Sequence, residues 1–159
     1  MNIESVGVLG AGQMGNGIAQ VAACAGFQVT MVDIKQEYVD KGLAAIERSL
    51  GKLVAKERMS EQDAASALAR VSISTDKTAV SDSDLVVEAI PEIPDLKFST
   101  FAELDGICKP STILASNTSS SCFLLVAVAG TDIGALQVQG QIKRAAVLHT
   151  DHRGVDEYP

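Results

Sequence analysis

The sequence predicts an α/β fold, a doubly wound and mostly parallel sheet with a helical hairpin inserted between its second and third strands. Three observations carry this prediction. Short apolar runs alternate with longer segments of helical periodicity along the first 120 residues. The first run, residues 6–9, passes through a G-x-G-x-x-G loop at Gly10, Gly12 and Gly15 directly into a helical pattern. Two helical patterns, where one crossover helix would do, separate the second and third runs. With 159 residues and 47% apolar content the chain can bury one respectable core, and two full domains do not fit.

In chain order, the opening strand leads to a helix whose apolar positions are Met14, Ile18, Val21, Ala22 and Ala25. Gly10 permits the tight turn, Gly12 leaves the backbone bare for a pyrophosphate, and Gly15 lets the helix pack closely. The helix N-terminus offers free N–H groups and a partial positive charge to phosphates. The second strand, residues 28–32, ends at Asp33, 18 residues beyond Gly15. A carboxylate there can accept hydrogen bonds from the adenosine ribose hydroxyls and repels a 2′-phosphate, which favours NAD over NADP. Lys35 nearby works against that preference. The plain alternative is an Asp that only caps the strand-to-helix turn.

Val39, Leu43, Ile46, Leu50 and Leu53 then step by four and three along one helical face, and Glu37 with Lys41 forms an i,i+4 pair on the exposed side. Ser60 and Asp63 resemble a capping box opening a second helix through about Ala69. The hairpin so formed is a candidate substrate arm. On its first helix Ser49, Lys52 and Lys56 make one polar, basic stripe, either a solvated face with cations near the helix C-terminus or a seat for a phosphate-bearing substrate tail.

Residues 71–75 and 84–90 read as the third and fourth strands, the latter nearly continuous in apolar residues as a doubly buried parallel strand should be. Pro91 and Pro94 mark the turn into a helix carrying Leu96, Phe98, Phe101, Leu104 and Ile107, and residues 112–115 form the fifth strand. Ligands of open α/β sheets lie outside the carboxyl ends of the strands. Glu92 and the run Ser116-Asn117-Thr118-Ser119-Ser120 fall there, the run otherwise reading as a hydroxyl-rich cap.

Bulk properties narrow the function. Thirteen basic against twenty acidic residues give a net charge of −7, which argues against nucleic acid or an anionic membrane as partner and for a small molecule. The longest apolar run, residues 122–129, is far short of the roughly 20 needed to cross a bilayer. The first strand starts within a few residues of the N-terminus, so no targeting peptide is expected and the chain reads as soluble and cytoplasmic. Cys24, Cys108 and Cys122 are widely spaced and read as reduced, mostly buried packing residues. No zinc-ligand spacing occurs, and the His149-x-x-His152 pair with Asp151 is set aside, so no metal is expected.

These residues resemble the NAD-binding domain of the 3-hydroxyacyl-CoA dehydrogenases, including the bacterial 3-hydroxybutyryl-CoA dehydrogenases. The resemblance rests on GVLGAGQMGNGIAQVAA, the strand ending at Asp33, the helical hairpin, DLVVEAIPE with PDLK, and ILASNTSS, and covers about residues 6–120. It implies an NAD-binding Rossmann domain over residues 1–120, followed by a divergent tail over 121–159. It also implies oxidation of (S)-3-hydroxyacyl-CoA to 3-ketoacyl-CoA in fatty acid metabolism. By position, Gly10, Gly12, Gln13, Met14, Gly15, Asp33, Ala89, Glu92, Lys97 and Asn117 would contact NAD, Glu92 and Lys97 on its nicotinamide side. Ser119 would hydrogen-bond the reacting oxygen with Asn117 beside it, and Ser49 and Lys56 would touch the coenzyme A nucleotide. Ile93 stands where the family usually carries Asn.

A larger departure follows Ser120. The family continues to a His-Phe-Phe-Asn-Pro motif, whose histidine is the general base oriented by a downstream glutamate, and then to an all-helical domain. Neither occurs in this sequence. The segment Arg144 to His149 echoes the strand before that histidine, but further along than the family spacing and with Thr150-Asp151 in place of the aromatic pair. His149 is thus a weak candidate base and otherwise a tail residue. Two functions stand side by side: a dehydrogenase of this type, or a truncated NAD- and CoA-binding module without catalysis. An unrelated NAD-dependent sensor would leave the SNTSS run unexplained. A fifth strand with no sixth beside it, and no helical domain over the sheet, predicts a homo-oligomer or an aggregation-prone chain.

Overall fold

Alternate residues of the central strands feed two separate cores, one on each face of the sheet. The computed structural model describes residues 3–117, 123–128 and 146–149. Its elements are β1 (Ser5–Leu9), α1 (Gln13–Cys24), β2 (Gln28–Val32), α2 (Gln36–Ala55), α3 (Glu61–Ala69), β3 (Val71–Ser74), a 3-10 turn (Lys77–Val80), β4 (Leu85–Glu88), α4 (Pro94–Ile107), β5 (Ile113–Ser116), β6 (Phe123–Val128) and β7 (Ala146–His149). The strands lie in the order β3-β2-β1-β4-β5-β6-β7. The first five are parallel, as the alternation of apolar runs and helices requires.

On one face Val6, Val8, Val29 and Met31 pack with Ala19 and Ala23 of α1, Val39, Ile46 and Leu50 of α2, and Ala67 of α3. On the other, Leu9, Val32, Val86 and Leu114 pack with Val80, Phe101, Leu104 and Cys108. The period-two alternation thus puts α1, α2 and α3 on one side and the 3-10 turn and α4 on the other. The hairpin forms as its pattern predicts. Ser60 Oγ accepts from the Asp63 amide at 3.0 Å and donates to Asp63 Oδ2 at 2.7 Å, and Lys41 pairs with Glu37 at 2.5 Å. Its second helix does not project freely. Ala67 is buried, and the adjoining Arg70 guanidinium donates to the Ala23 carbonyl at 3.2 Å, which ties the end of α3 to α1.

Three expectations need correction. The first concerns α1, whose core face is the small-residue row Gly15, Ala19 and Ala23. The larger Met14 and Val21 are 57% and 70% exposed. With Ile18 and Ala25 they line instead an apolar groove of about 520 Å³, floored by Val6, Leu85 and Val87. The second concerns the edge of β5, which is not open. Only six residues, 117–122, separate β5 from β6, too few for the crossover of a dozen or more that a parallel partner needs, and β6 runs antiparallel to β5. β7 in turn runs antiparallel to β6. The third concerns Cys24, which is exposed, whereas Cys108 is buried as expected and Cys122 lies outside the described residues. No described helix is long and apolar enough to cross a membrane.

Glycine at 42 permits one unusually close approach. A Cβ there would stand 2.9 Å from Ala11 Cβ, the Ala11 carbonyl oxygen and Met31 Cε, so α2 lies with its backbone against the glycine loop.

Candidate functional site

The carboxyl end of β1 is built to hold its loop open. Gly10 has φ +99, a left-handed conformation that only glycine adopts cheaply, and its amide donates to the Val32 carbonyl at 2.8 Å. A Cβ at Gly15 would stand 1.8 Å from the Gly10 carbonyl oxygen, so this glycine seats α1 against its own loop more than against the strand. The Asn16 side-chain amide donates to the Gly12 carbonyl at 2.7 Å and fixes the loop from below. Gly12 differs from the other two, since a Cβ there would meet nothing within 4 Å. Gly12 is the N-cap of α1 and supplies no side-chain cap, and the first turn carries no acidic residue. The positive end of the helix dipole is therefore left for an anion.

Beside this loop is a cleft of about 540 Å³ lined by Gly10, Gly12, Gln13, Met14, Asp33, Ile34, Tyr38, Ala89, Ile90, Pro91, Leu96 and Thr100, among others. Asp33 closes it at the tip of β2. Its Oδ2 accepts from the Ala11 amide and its Oδ1 from the Ile34 amide, both at 2.7 Å. Lys35 sits 5.5 Å over the ring of Tyr38, a cation–π contact that occupies its ammonium. Leu96 of α4 is 40% exposed and faces the cleft. These residues fit a dinucleotide: a bare backbone over an uncapped helix for the pyrophosphate, and a carboxylate at the far wall for the ribose.

Glu92 and Lys97 are not part of that lining; they stand beside Pro91 and Leu96, which are. Lys97 Nζ lies 2.7 Å from Glu92 Oε1 and 3.1 Å from Glu88 Oε2, and donates to Ser116 Oγ at 3.4 Å. Ser116, 5% exposed, belongs to the hydroxyl-rich run expected at this end of the sheet, whereas Glu88, 0% exposed, escapes a reading from sequence, because a single Glu inside VVEAI looks like the end of an apolar strand. The available signal is an ionisable residue inside an otherwise apolar strand run. Asn117 follows β5, and its amide donates to the Glu88 carbonyl at 2.8 Å.

Other expected site residues are dispersed. Ser49 is half-buried on α2, and Lys56, its C-cap, is exposed. Neither lines the cleft. Ser119 lies outside the described residues, as do His152 and Asp151. His149 ends β7 in register with Phe123, the first residue of β6, two strands beyond β5. Among the described residues no group of His, Cys, Asp and Glu is placed to hold a metal ion.

A parallel sheet with an uncapped glycine loop at its centre and an acid at the tip of the second strand defines an NAD-binding domain of the dehydrogenase kind. The chain belongs to the 3-hydroxyacyl-CoA dehydrogenase family, whose NAD binding domain matches residues 5–129. A probable 3-hydroxybutyryl-CoA dehydrogenase of Deinococcus radiodurans is 52% identical over 114 residues, which is 72% of this chain and 41% of that protein. Its counterpart in Bacillus subtilis is 45% identical over 120 residues, 76% of this chain and 42% of that one. The crystal structure of (S)-3-hydroxybutyryl-CoA dehydrogenase from Ralstonia eutropha matches with a TM-score of 0.73 at 48% identity, covering 75% of this chain and 42% of that one. The chain thus spans about two fifths of the length of these relatives.

Proposed function

We propose that the cleft takes NAD and that the chain serves the oxidation of (S)-3-hydroxyacyl-CoA to 3-ketoacyl-CoA. The observation that carries this reading is the open space over Gly12 at the uncapped start of α1, with the Asp33 carboxylate on the same cleft. The pyrophosphate sits over Gly10, Gly12 and Gly15, with Gln13, Met14 and Ala89 along its path, and Asp33 takes the adenosine ribose. NAD supplies the hydride acceptor. Glu92, Lys97 and Asn117 bound its nicotinamide side at the carboxyl ends of β4 and β5. Ser119 hydrogen-bonds the reacting oxygen, and Ser49 and Lys56 take the nucleotide of coenzyme A. The protein acts in the cytoplasm, without nucleic acid or membrane. The exposed apolar groove along α1, in place of the β5 edge, supports a homo-oligomer, which light scattering would detect.

A second reading, NAD and CoA binding without turnover, is favoured by the position of His149. Two strand spacings place its backbone about 10 Å laterally from β5, and a misplaced or missing base costs about 10²–10⁴-fold in rate. The test joins two measurements. NADH is titrated calorimetrically, and NADH absorbance is followed with acetoacetyl-CoA. Binding with faint turnover is expected. Absence of NADH binding overturns both readings, and robust turnover abolished by His149→Ala would make His149 the base and remove the second.

A further inference from the structure

We propose that Glu88, together with Ser116, is the positioning residue that holds the Lys97 ammonium at the carboxyl ends of β4 and β5, with Glu92 as its displaceable counter-ion. The inference rests on the reading of the cleft as a dinucleotide site. Strand parity explains the placement. Leu85 and Val87 face α1, whereas Val86 packs in the core beneath α4, and Glu88, two residues on, shares that side. Ser116 is its register partner on β5, again two residues beyond a core residue of that side, Leu114.

A carboxylate with 0% exposure is costly unless its oxygens are satisfied, and an apolar residue like Val86 would fill the same space without that cost. Glu88 is fully engaged instead. Oε1 accepts from the Ile90 amide at 2.7 Å, and Oε2 accepts from Ser116 Oγ at 2.5 Å and lies 3.1 Å from Lys97 Nζ. The ammonium has three protons and three oxygen neighbours, and these neighbours are unequal. Glu88 and Ser116 are buried and cannot withdraw, while the Glu92 side chain is 40% exposed at 2.7 Å. An oxygen acceptor on the nicotinamide half of the dinucleotide therefore accepts the Lys97 N–H that Glu92 releases, and the inner pair keeps the lysine in place.

The test is NADH affinity, measured by calorimetry on the full chain and on Glu88→Gln, Lys97→Met, the double variant and Glu92→Gln, with thermal melts alongside. Glu88→Gln and Lys97→Met should each raise Kd about tenfold, the double variant no more than either, and Glu92→Gln should raise it less than Glu88→Gln does. Wild-type affinity in Glu88→Gln, or additive losses near a hundredfold, overturns the proposal, since a merely structural carboxylate would act without regard to Lys97. If Glu88→Gln does not fold, Ser116→Ala decides. A roughly threefold rise in Kd that vanishes in the Lys97→Met background supports the proposal, and an unchanged Kd overturns it. A wild-type chain that fails to bind NADH sinks the cofactor reading and this inference with it, whereas binding insensitive to Glu88 sinks this inference alone.

Discussion

The Ala11 amide donates to Asp33 Oδ2 at 2.7 Å, a bond that ties the tip of β2 to the glycine loop. Because Oδ1 is held by the Ile34 amide at the same distance, the carboxylate is oriented before any ligand arrives. Capping and ribose recognition, alternatives when read from sequence, are compatible roles of one side chain, since each carboxylate oxygen has a second lone pair.

Asp33→Ala should therefore weaken NADH binding twice over, by removing the acceptor and by releasing the loop. An increase in Kd of about tenfold or more is expected in calorimetry, with Asp33→Asn between it and wild type. Unchanged affinity in Asp33→Ala would remove Asp33 from the site.

The glycines of the loop should separate fold from binding. At Gly15 a Cβ would collide with the Gly10 carbonyl at 1.8 Å, so Gly15→Ala should destabilise by at least about 3 kcal/mol. At Gly12 there is open space, so Gly12→Ala should leave the melting temperature equal or slightly higher while its methyl group blocks the pyrophosphate. Thermal melts and NADH titration of the two variants check this contrast. Equal loss of stability in both would contradict it.

At the opposite end of the sheet, Asp84 gathers Lys109 Nζ at 2.7 Å, the Glu4 and Ser5 amides at 2.9 and 3.0 Å, and Ser5 Oγ at 2.9 Å. The Lys109 hydrogen bond foremost, and then the backbone and hydroxyl donors, hold its carboxyl far below the usual carboxylate range. A depressed folded value stabilises the protein above the unfolded value of about 4 and is lost as pH falls below it. Asp84→Asn should thus cost about 1–3 kcal/mol at pH 7, a difference that narrows steadily below about pH 4 in urea titrations. A pH-independent difference would show that the charge is not what matters.

Ile93 occupies the N-cap of α4, makes no side-chain cap and is 53% exposed, with Pro94 opening the helix behind it. Ile93→Asn, the residue its family usually carries, should stabilise by about 1 kcal/mol through a cap bond to the first turn. A rise in melting temperature with unchanged NADH affinity is expected; a fall would mean that the exposed isoleucine is packed against something.

Much of this was legible from sequence because periodicity and glycine spacing report backbone requirements. Val39 to Leu53 stepped by four and three and formed α2 with that face inward, and Ser60 with Asp63 marked the start of α3 to the residue. What failed depended on which neighbour comes close. Met14 and Val21 are the large apolar residues of the α1 pattern, yet the interior goes to the small Ala19 and Ala23. Glu88 was invisible as a site residue because its significance lies in Ser116 and Lys97, neither adjacent in sequence. The direction of β6 follows from the six-residue connection, which a count of apolar residues does not reveal.

The contact at Gly42 makes α2 a lever. Twenty residues of helix are a rod about 30 Å long, pressed at Gly42 against Ala11 and ending near Lys56, about 21 Å along the axis from that fulcrum. With no side chain at the pivot to compress, a tilt of about 5° moves the Lys56 end by nearly 2 Å about a contact with Ala11, the residue whose amide Asp33 holds. The basic tip of the hairpin and the glycine loop therefore lie along one helix and share its contact at Gly42.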